Sequence, residues 1–276
     1  MKKAKTKILN KNQLSNLVAR FSKSYVIEEM ERSIKQAKST ELEIKNIDDN
    51  SIIKSAPIPN EILKNVADSI VKSGLTNPLI VRPKKDYYEI VFGRKRLLAC
   101  KKYKPLVKVP VFIINVTDEE MLFMLLADNR EQREANIIET ALILKEMSEK
   151  HHYNQQTLAD IAHQSRSQIT NILRILNLPK NVIDDISLNK LSYGHARALV
   201  SLPEDSINEL ASRIHQENLS VREVEKIVKE QRKGNDKNDL RVLNKYFCTI
   251  TNSDTSLIIK FKSIADKNNF LKDIKK

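Results

Sequence analysis

Asn154 to Leu178 reads NQQTLADIAHQSRSQITNILRILNL, and its pattern predicts two short helices separated by a sharp turn. The second helix carries its own start signal. Ser165 stands three residues before Gln168, the spacing of a capping box in which each side chain satisfies an orphan amide. Ile169, Ile172, Leu173 and Leu176 then recur at helical spacing and define one buried stripe. The opposite face shows Arg166, Ser167, Gln168, Thr170, Asn171 and Arg174, with two cations, several hydrogen-bonding groups and no carboxylate. Such a face suits the phosphate-lined major groove of DNA, where Arg, Gln and Asn read base edges. The preceding helix, roughly Gln155 to His163, buries Leu158, Ile161 and Ala162 and would cross the DNA backbone, with Gln156, Thr157 and Gln164 beside it. The glycine common in such turns is missing, and His163-Gln164 takes the corner. Taken alone, the segment also fits an ordinary helical hairpin in a bundle.

The 276 residues are enough for about two compact domains with small appendages. A formal charge of +13 favours a polyanionic partner, a nucleic acid or an anionic membrane surface. The two cysteines, Cys100 and Cys248, form no CxxC and no cluster at metal-ligand spacing, which predicts a reducing cytosol and no structural zinc. No apolar run approaches the roughly 20 residues of a membrane span, and the first residues lack a signal-peptide apolar core. A cytoplasmic protein is expected, with no membrane partner. Tryptophan is absent, so base stacking is a poor candidate for the binding mode. Of four glycines, Gly74, Gly93 and Gly194 stand where a special backbone is expected, at a helix end, a strand-to-helix turn and a helix start.

Residues 1–40 read as a basic, weakly periodic arm, with Leu14, Leu17, Val18 and Phe21 able to form one short helical face. Residues 41–135 alternate strand and helix as a small α/β domain does. Glu41 to Ile47 alternates as one strand. Pro59-Asn60 opens a helix with the stripe Ile62, Leu63, Val66, Ile70 and Val71, closed by Gly74. Leu79–Val81 and Tyr87–Phe92 form a hairpin, GRKRLLACKKYK after Phe92 a basic helix, and about Val109–Val116 a third strand. Thr117 with Glu120 and Asn136 with Glu139 are further capping boxes. Residues 136–233 are helical, with Ser192 opening GHARALVSL and Ser220 with Glu223 capping another helix. After a polar linker around Gly234, residues 239–276 read helix, strand (Phe247–Thr251), turn (Asn252-Ser253-Asp254), strand (Leu257–Phe261), helix. That αββα segment buries too little to stand alone, which points to dimerisation. The fold class is therefore α+β and multidomain.

The order and spacing of RSQITNILRILNLP, KLSYGHARALVSLP and NLSVREVEKIV resemble those of the DNA-binding domain of the ParB/Noc chromosome- and plasmid-partition proteins. SGLTNPLIVR (Ser73–Arg82) resembles that family's first nucleotide-pocket segment, GRKRLLA (Gly93–Ala99) its arginine-rich phosphate box, and ADNREQRE (Ala127–Glu134) its third motif. The likeness covers about residues 41–276. It implies an N-terminal domain that binds and slowly hydrolyses CTP with Mg²⁺, and a dimer that a palindromic DNA site closes into a sliding clamp. Carried over, Gly93 admits the phosphates to the backbone while Arg94, Lys95 and Arg96 neutralise them, and the helix start adds amide donors. Asp128 and Asn129 fall near the metal and the hydrolytic water, and Gly74 and Asn77 belong to the cytosine pocket. Gln156, Thr157, Gln164, Ser165, Arg166, Ser167, Gln168, Thr170, Asn171, Arg174 and Arg197 make the DNA contacts. The resemblance also implies a nucleoid or plasmid location and a ParA-type ATPase partner reached through the basic arm.

Several positions depart from the family's pattern. Arg94 stands where the box usually has Glu, Lys95 where it has Arg, and Leu98 where a later Arg falls. Lys supplies charge without Arg's planar fork. Asp128 replaces the usual Glu, and no arginine-bearing motif is recognisable in SIIKSAPIPN. These departures keep open a plain helix-turn-helix repressor without nucleotide chemistry. A nuclease is disfavoured by the lack of a metal-binding carboxylate cluster, and no Ser or Cys lies in an activated setting.

Overall fold

The computed structural model describes residues 39–103, 107–131, 136–231, 248–253, 256–261, 263–265 and 267–268. The expected basic arm up to residue 38, the linker around Gly234, the helix expected over 240–246 and the apolar positions Phe270, Leu271 and Ile274 lie outside them. By contacts the chain divides after Gln216 into two compact units.

The first unit opens with a correction. The alternating run Glu41–Ile47 is not one strand. It makes β1 (Thr40–Glu43), a 3₁₀ turn (Ile44–Asn46) and β2 (Ile47–Asp48). With β3 (Leu79–Pro83), β4 (Tyr88–Phe92) and β5 (Lys108–Ile113) these form a mixed sheet in the order β1-β5-β3-β4-β2. β1 lies antiparallel to β5 on one edge and β2 parallel to β4 on the other, so the run crosses the whole sheet. Period-two alternation records which residues face inward, not which neighbour each half pairs with. The β3–β4 hairpin has the expected antiparallel register, closed by the Lys84 N–H donating to the Tyr87 carbonyl at 2.8 Å.

Both sheet faces are covered, which explains the unbroken apolar runs in β3 and β4. On one face Leu79, Val81, Ile90, Val109 and Val111 pack with Leu97 of α2 (Arg94–Tyr103). α2 also packs against α1 (Asn60–Ser73) through Ala99 and Leu98 against Leu63, Ala67 and Val66. In α1 the buried stripe is Leu63, Ala67 and Ile70, with Ile62 and Val66 at its margin, whereas Val71, expected inside, is 59 % exposed. Small Ala67 takes a core position, packed with Ala99 and Leu98 of α2.

On the other face Ile80, Val91, Phe92 and Ile114 meet α3 (Asp118–Glu131), and this core does not stop at the sheet. It continues through α4 (Ile137–Lys150) to α5 (Gln155–Ala162) and α6 (Arg166–Ile175). Met121, Leu144, Met147, Tyr153, Leu158 and Ile169 are all at most 1 % exposed within it. The sheet and the first helices of the helical half therefore share one core. α7 (Lys180–Ser187), α8 (Tyr193–Leu199) and α9 (Glu204–Glu217) follow.

The caps show where local spacing succeeds. Ser165–Gln168, Thr117–Glu120 and Ser220–Glu223 each form the reciprocal bonds of a capping box. Ser192 pairs in the same way with His195, whose ring nitrogen takes the acid's place. Asn136 caps α4 by accepting from the Ile138 N–H, but Glu139 does not complete a box and turns to another partner. Gly74 (φ +71°) and Gly93 (φ +94°) have the positive φ expected, while Gly194 lies within α8 without one.

In the second unit residues 221–231 are helical, and β6 (Cys248–Ser253) pairs antiparallel with β7 (Ser256–Phe261). Pairing runs on to Ser253–Ser256, so Asn252 and Ser253, expected in the turn, belong to β6. Of the helix after β7, residues 264–265 and 267–268 are helical, and Ile264 is 79 % exposed. Among the described residues no helix is long and apolar enough to cross a membrane.

A buried ion pair braces the hairpin. Arg82 donates through Nε and Nη2 to Glu89 Oε2, and Glu89 Oε1 accepts from the Ser51 N–H at 2.9 Å and its Oγ at 2.7 Å. Burial pushes the Glu89 carboxyl up, but the Ser51 and Arg82 donors outweigh it and hold the group below its ordinary value of 4.5. Its contribution to stability is complete above the unfolded value and is lost as pH falls through the lower folded value. A Glu89→Gln variant should therefore melt lower than the parent at pH 7 and show a shallower loss of stability on acidification below pH 4.5, read from thermal melts across pH.

Candidate functional site

Two surfaces of the first unit gather the residues singled out by the sequence. The first is a pocket of about 290 Å³ where β4 turns into α2, floored by Ile53, Val91 and Leu125 and rimmed by Gly93, Arg94, Lys95, Arg96, Asp128 and Glu139. β4 delivers the chain to Gly93, whose φ of +94° turns it sharply into α2. Four consecutive residues from Gly93 on thus line one concavity at a helix N-terminus, where backbone amides and side-chain cations face the same space.

The three cations are not equivalent. The Arg94 guanidinium, 10 % exposed, donates to Asp49 (Nε to Oδ1, 2.8 Å; Nη2 to Oδ2, 2.9 Å), to the Ala56 carbonyl at 3.0 Å and to Glu139 Oε1 at 2.5 Å. Against burial, which pulls it down, Asp49 and Glu139 hold this guanidinium firmly protonated. Burial is the main influence on Glu139 and pushes its carboxyl up, with Arg94 and Lys95 opposing. Arg96 turns away to donate through Nη1 to the carbonyls of Asn77 and Pro78. Burial lowers its affinity for the proton, and the Asp128 charge opposes that. Lys95, half-buried on the rim, holds no hydrogen bond or ion pair among the described residues.

The other expected pocket residues sit differently. Asn129 is 3 % exposed, and both ends of its amide are used: Nδ2 donates to the Asn136 carbonyl and Thr140 Oγ1, and Oδ1 accepts from the Asn136 N–H. It therefore ties α3 to α4. Asp128 is on the pocket wall. Among the described residues no three His, Cys, Asp or Glu side chains cluster as a metal site. Gly74 and Asn77 do not line the pocket, which the Asn77 turn reaches through Arg96. Leu98 packs into the α1–α2 core. The sequence reading missed Asp49 and the role of Glu139. The only signal for the latter was an acid at a capping-box position.

The second surface is the helix-turn-helix. His163, at the corner, takes the left-handed conformation (φ 51°, ψ 45°), and Gln164 N–H closes the turn on the Ala159 carbonyl at 2.9 Å. A histidine thus performs the turn expected of glycine, at a steric cost met by the surrounding packing. On α6 Ile169, Ile172 and Ile175 are buried, while Arg166, Ser167, Gln168 and Arg174 are exposed and Thr170 and Asn171 half-buried. Thr170 Oγ1 bonds Gln155 Oε1 at 3.0 Å and so pins α6 to α5. Gln156 is exposed and bonded to Asp160, Gln164 is half-buried, and Ser165 is exposed at the cap. Arg197 is exposed on α8. Thr157, expected on the DNA side, is 3 % exposed and sits behind that surface, with its N–H capped by Asn154.

The fold and these surfaces define a class: an α/β domain with a charged pocket, fused through a common core to a helix-turn-helix. Residues 28–130 match the ParB N-terminal domain and residues 133–233 the ParB HTH domain. A probable chromosome-partitioning protein ParB from Campylobacter jejuni is 29 % identical over 97 % of this chain and 99 % of its own length. One from Rickettsia prowazekii is 32 % identical over 72 % of this chain and 69 % of its own. A C-terminally truncated ParB from Caulobacter crescentus has been solved with the centromeric parS site (28 % identity, 70 % of this chain, 100 % of that one, TM-score 0.41) and with CTP-γ-S (29 %, 62 %, 98 %, TM-score 0.32). The chain belongs to the ParB family.

A side chain at position 93 has nowhere to go: a Cβ there falls 2.8 Å from Leu79 Cδ2 and 2.9 Å from Arg96 Nη2, at a φ that L residues rarely adopt. Gly93→Ala should lower stability by about 1–3 kcal/mol in denaturant unfolding. Lys95→Ala, on the rim, should stay within about 0.5 kcal/mol of the parent, which makes it the cleaner probe of the pocket.

Proposed function

We propose that this protein is a dimeric, sequence-specific DNA-binding protein that marks a palindromic, centromere-like site. It acts in plasmid or chromosome partition or nucleoid occlusion, as a clamp gated by CTP and Mg²⁺. The observation that carries the DNA reading is α6. Its exposed face, without a carboxylate, is fixed at the N-terminal end by a complete capping box and at its margin by the Thr170–Gln155 bond. Arg166, Ser167, Gln168, Thr170 and Asn171 read base edges; Arg174 and Arg197 meet phosphates or a neighbouring groove. Gln156, Gln164 and Ser165 add contacts at the turn, and Thr157 contributes by holding α5 in place.

Residues 41–135 serve as the nucleotide domain, 136–233 as the DNA-binding domain and 239–276 as the dimerisation module. The basic arm 1–40 is the contact for a ParA-type ATPase. In the pocket, Gly93 to Arg96 hold the phosphates, Asp128 lies nearest the metal and the hydrolytic water, and Asn129 sets the α3–α4 junction beside them. Any CTP turnover is slow and serves as a switch. CTP binding by the Caulobacter relative supports this reading, and the shape and basic rim of the pocket agree with it.

A second reading, a repressor that keeps the fold without nucleotide, draws on the commitment of Arg94 to two carboxylates and on Leu98, packed into the core. Equilibrium dialysis with CTP and Mg²⁺ separates the two: saturable binding supports the switch, and none, with or without site DNA, supports the repressor. Genome-wide mapping should show kilobase spreading that Lys95→Ala abolishes, against a narrow peak for a repressor. For the DNA face, Gln168→Ala and Asn171→Ala should each cost about 1–3 kcal/mol at a single base pair. An equal loss on random DNA overturns their role in readout.

A further inference from the structure

The pocket contains an anion of its own that occupies Arg94, a side chain assigned to the phosphates in the reading above. Arg94 follows Gly93 directly and is aimed into the pocket, yet its guanidinium is already held by Asp49, the Ala56 carbonyl and Glu139. Asp49 and Ala56 lie in the segment after β2 and belong to the same α/β half. Glu139 does not. It stands in the first turn of α4, the helix that packs against α5, α6 and α7. Two carboxylates share one guanidinium, Asp128 adds a third acid to the wall, and Arg96 is turned toward two carbonyls. As it stands, the pocket offers a polyanion Lys95, the helix amides and little else.

Glu139 reaches Arg94 because its local partner is taken. Three residues after the N-cap Asn136, it would complete a capping box by accepting from the Asn136 N–H. That N–H instead donates to Asn129 Oδ1 at 3.2 Å, and Asn136 Nδ2 donates to Ser187 Oγ at 2.7 Å, which itself donates to the Pro57 carbonyl. The start of α4 is thus held on one side by neutral hydrogen bonds and on the other by a single charged one. Glu139 is 14 % exposed, so the pair is held where charges are poorly screened and the loss of a partner is felt strongly.

We propose that Glu139 is an internal competitor for Arg94. A nucleotide triphosphate binds by taking the Glu139 side of the guanidinium, and in doing so it releases the charged tie between the pocket and α4. This rests on the nucleotide reading above and gives Glu139 the role of a positioning residue that acts through Arg94. Asp49 keeps its side of the guanidinium, so Arg94 remains aimed into the pocket throughout. The exchange is one of hydrogen-bond partners only, and no covalent bond changes.

The test is calorimetric titration of CTP with Mg²⁺ into the full-length protein and its variants at fixed salt, with thermal melts to confirm folding. Glu139→Gln should bind CTP about ten-fold more tightly, the scale of one charge-assisted hydrogen bond regained. Arg94→Gln should bind more weakly, and the double variant should match Arg94→Gln with the gain abolished. Amide exchange over residues 137–143 should rise on CTP addition in the parent and change little in Glu139→Gln. Should Glu139→Gln not fold, Glu139→Asp, one methylene shorter, should show the same gain in reduced size. Unchanged or weaker CTP binding by a folded Glu139 variant overturns the inference and leaves the nucleotide reading standing. A gain that survives in the double variant also overturns it, because charge removal alone would then account for the effect. No CTP binding by parent or Glu139→Gln removes the reading and the inference together.

Discussion

Burial of one helix, Ile137–Lys150, is the constraint on which the rest of the first unit depends. Its stripe Ile138, Ala141, Leu144 and Met147 is at most 1 % exposed, and it contacts α3, α5, α6 and α7. Ile138, Leu144 and Met147 each contribute roughly 1.5–3 kcal/mol when removed from water. A helix packed on so many sides cannot shift without disturbing all of its neighbours, because protein interiors are close-packed and transmit displacement. The recognition surface of α6 is therefore positioned by α4, and α4 is positioned partly by polar ties at its N-terminus that open onto the pocket. The pocket and the exposed face of α6, both resting on this one helix, have a physical route to influence each other.

The electrostatics of the pocket follow from the same arrangement. A net charge of +13 belongs to the whole chain, yet inside the pocket acids match cations closely. The pocket interior is balanced by pairs such as Arg94 with Asp49. Arg82 and Glu89 repeat this pattern on the hairpin, with both partners nearly fully buried. Buried pairs of this kind contribute less to stability than to fixing which elements meet.

Much of this was legible in the sequence wherever cause and effect lie within a few residues. The capping boxes at Thr117, Ser165 and Ser220 and the β3–β4 hairpin follow from spacing alone, and the order of elements gave the α+β class. In α6 Ile169 and Ile172 are buried as expected, whereas Leu173 and Leu176 are half-buried and Ile175 takes the third core position. What was not legible depends on partners far along the chain. Glu139 has the spacing of a cap and bonds Arg94, 45 positions away. Asn129 has the composition of a site residue and serves as a brace, because Asn136 and Thr140 hydrogen-bond to it. Thr157 reads as a surface threonine, yet it is 3 % exposed. Glu41–Ile47 alternates correctly, but no local signal says that its halves join opposite edges of a sheet. Val71 and Ala67 exchange roles because α2, absent from any helical-wheel argument, sets how much room exists.

The continuous core has one more consequence, for heredity. The two family segments meet between residues 130 and 133, in the short passage between α3 and α4, where a gene could be cut and rejoined most simply. Yet Phe123, Leu126, Ile143, Leu144 and Leu158 belong to one apolar cluster that spans the cut. A half taken from another relative would bring a surface shaped for a different counterpart. Recombination at that joint should seldom yield a working protein, so the pocket and α6 are expected to share one ancestry and to change in step.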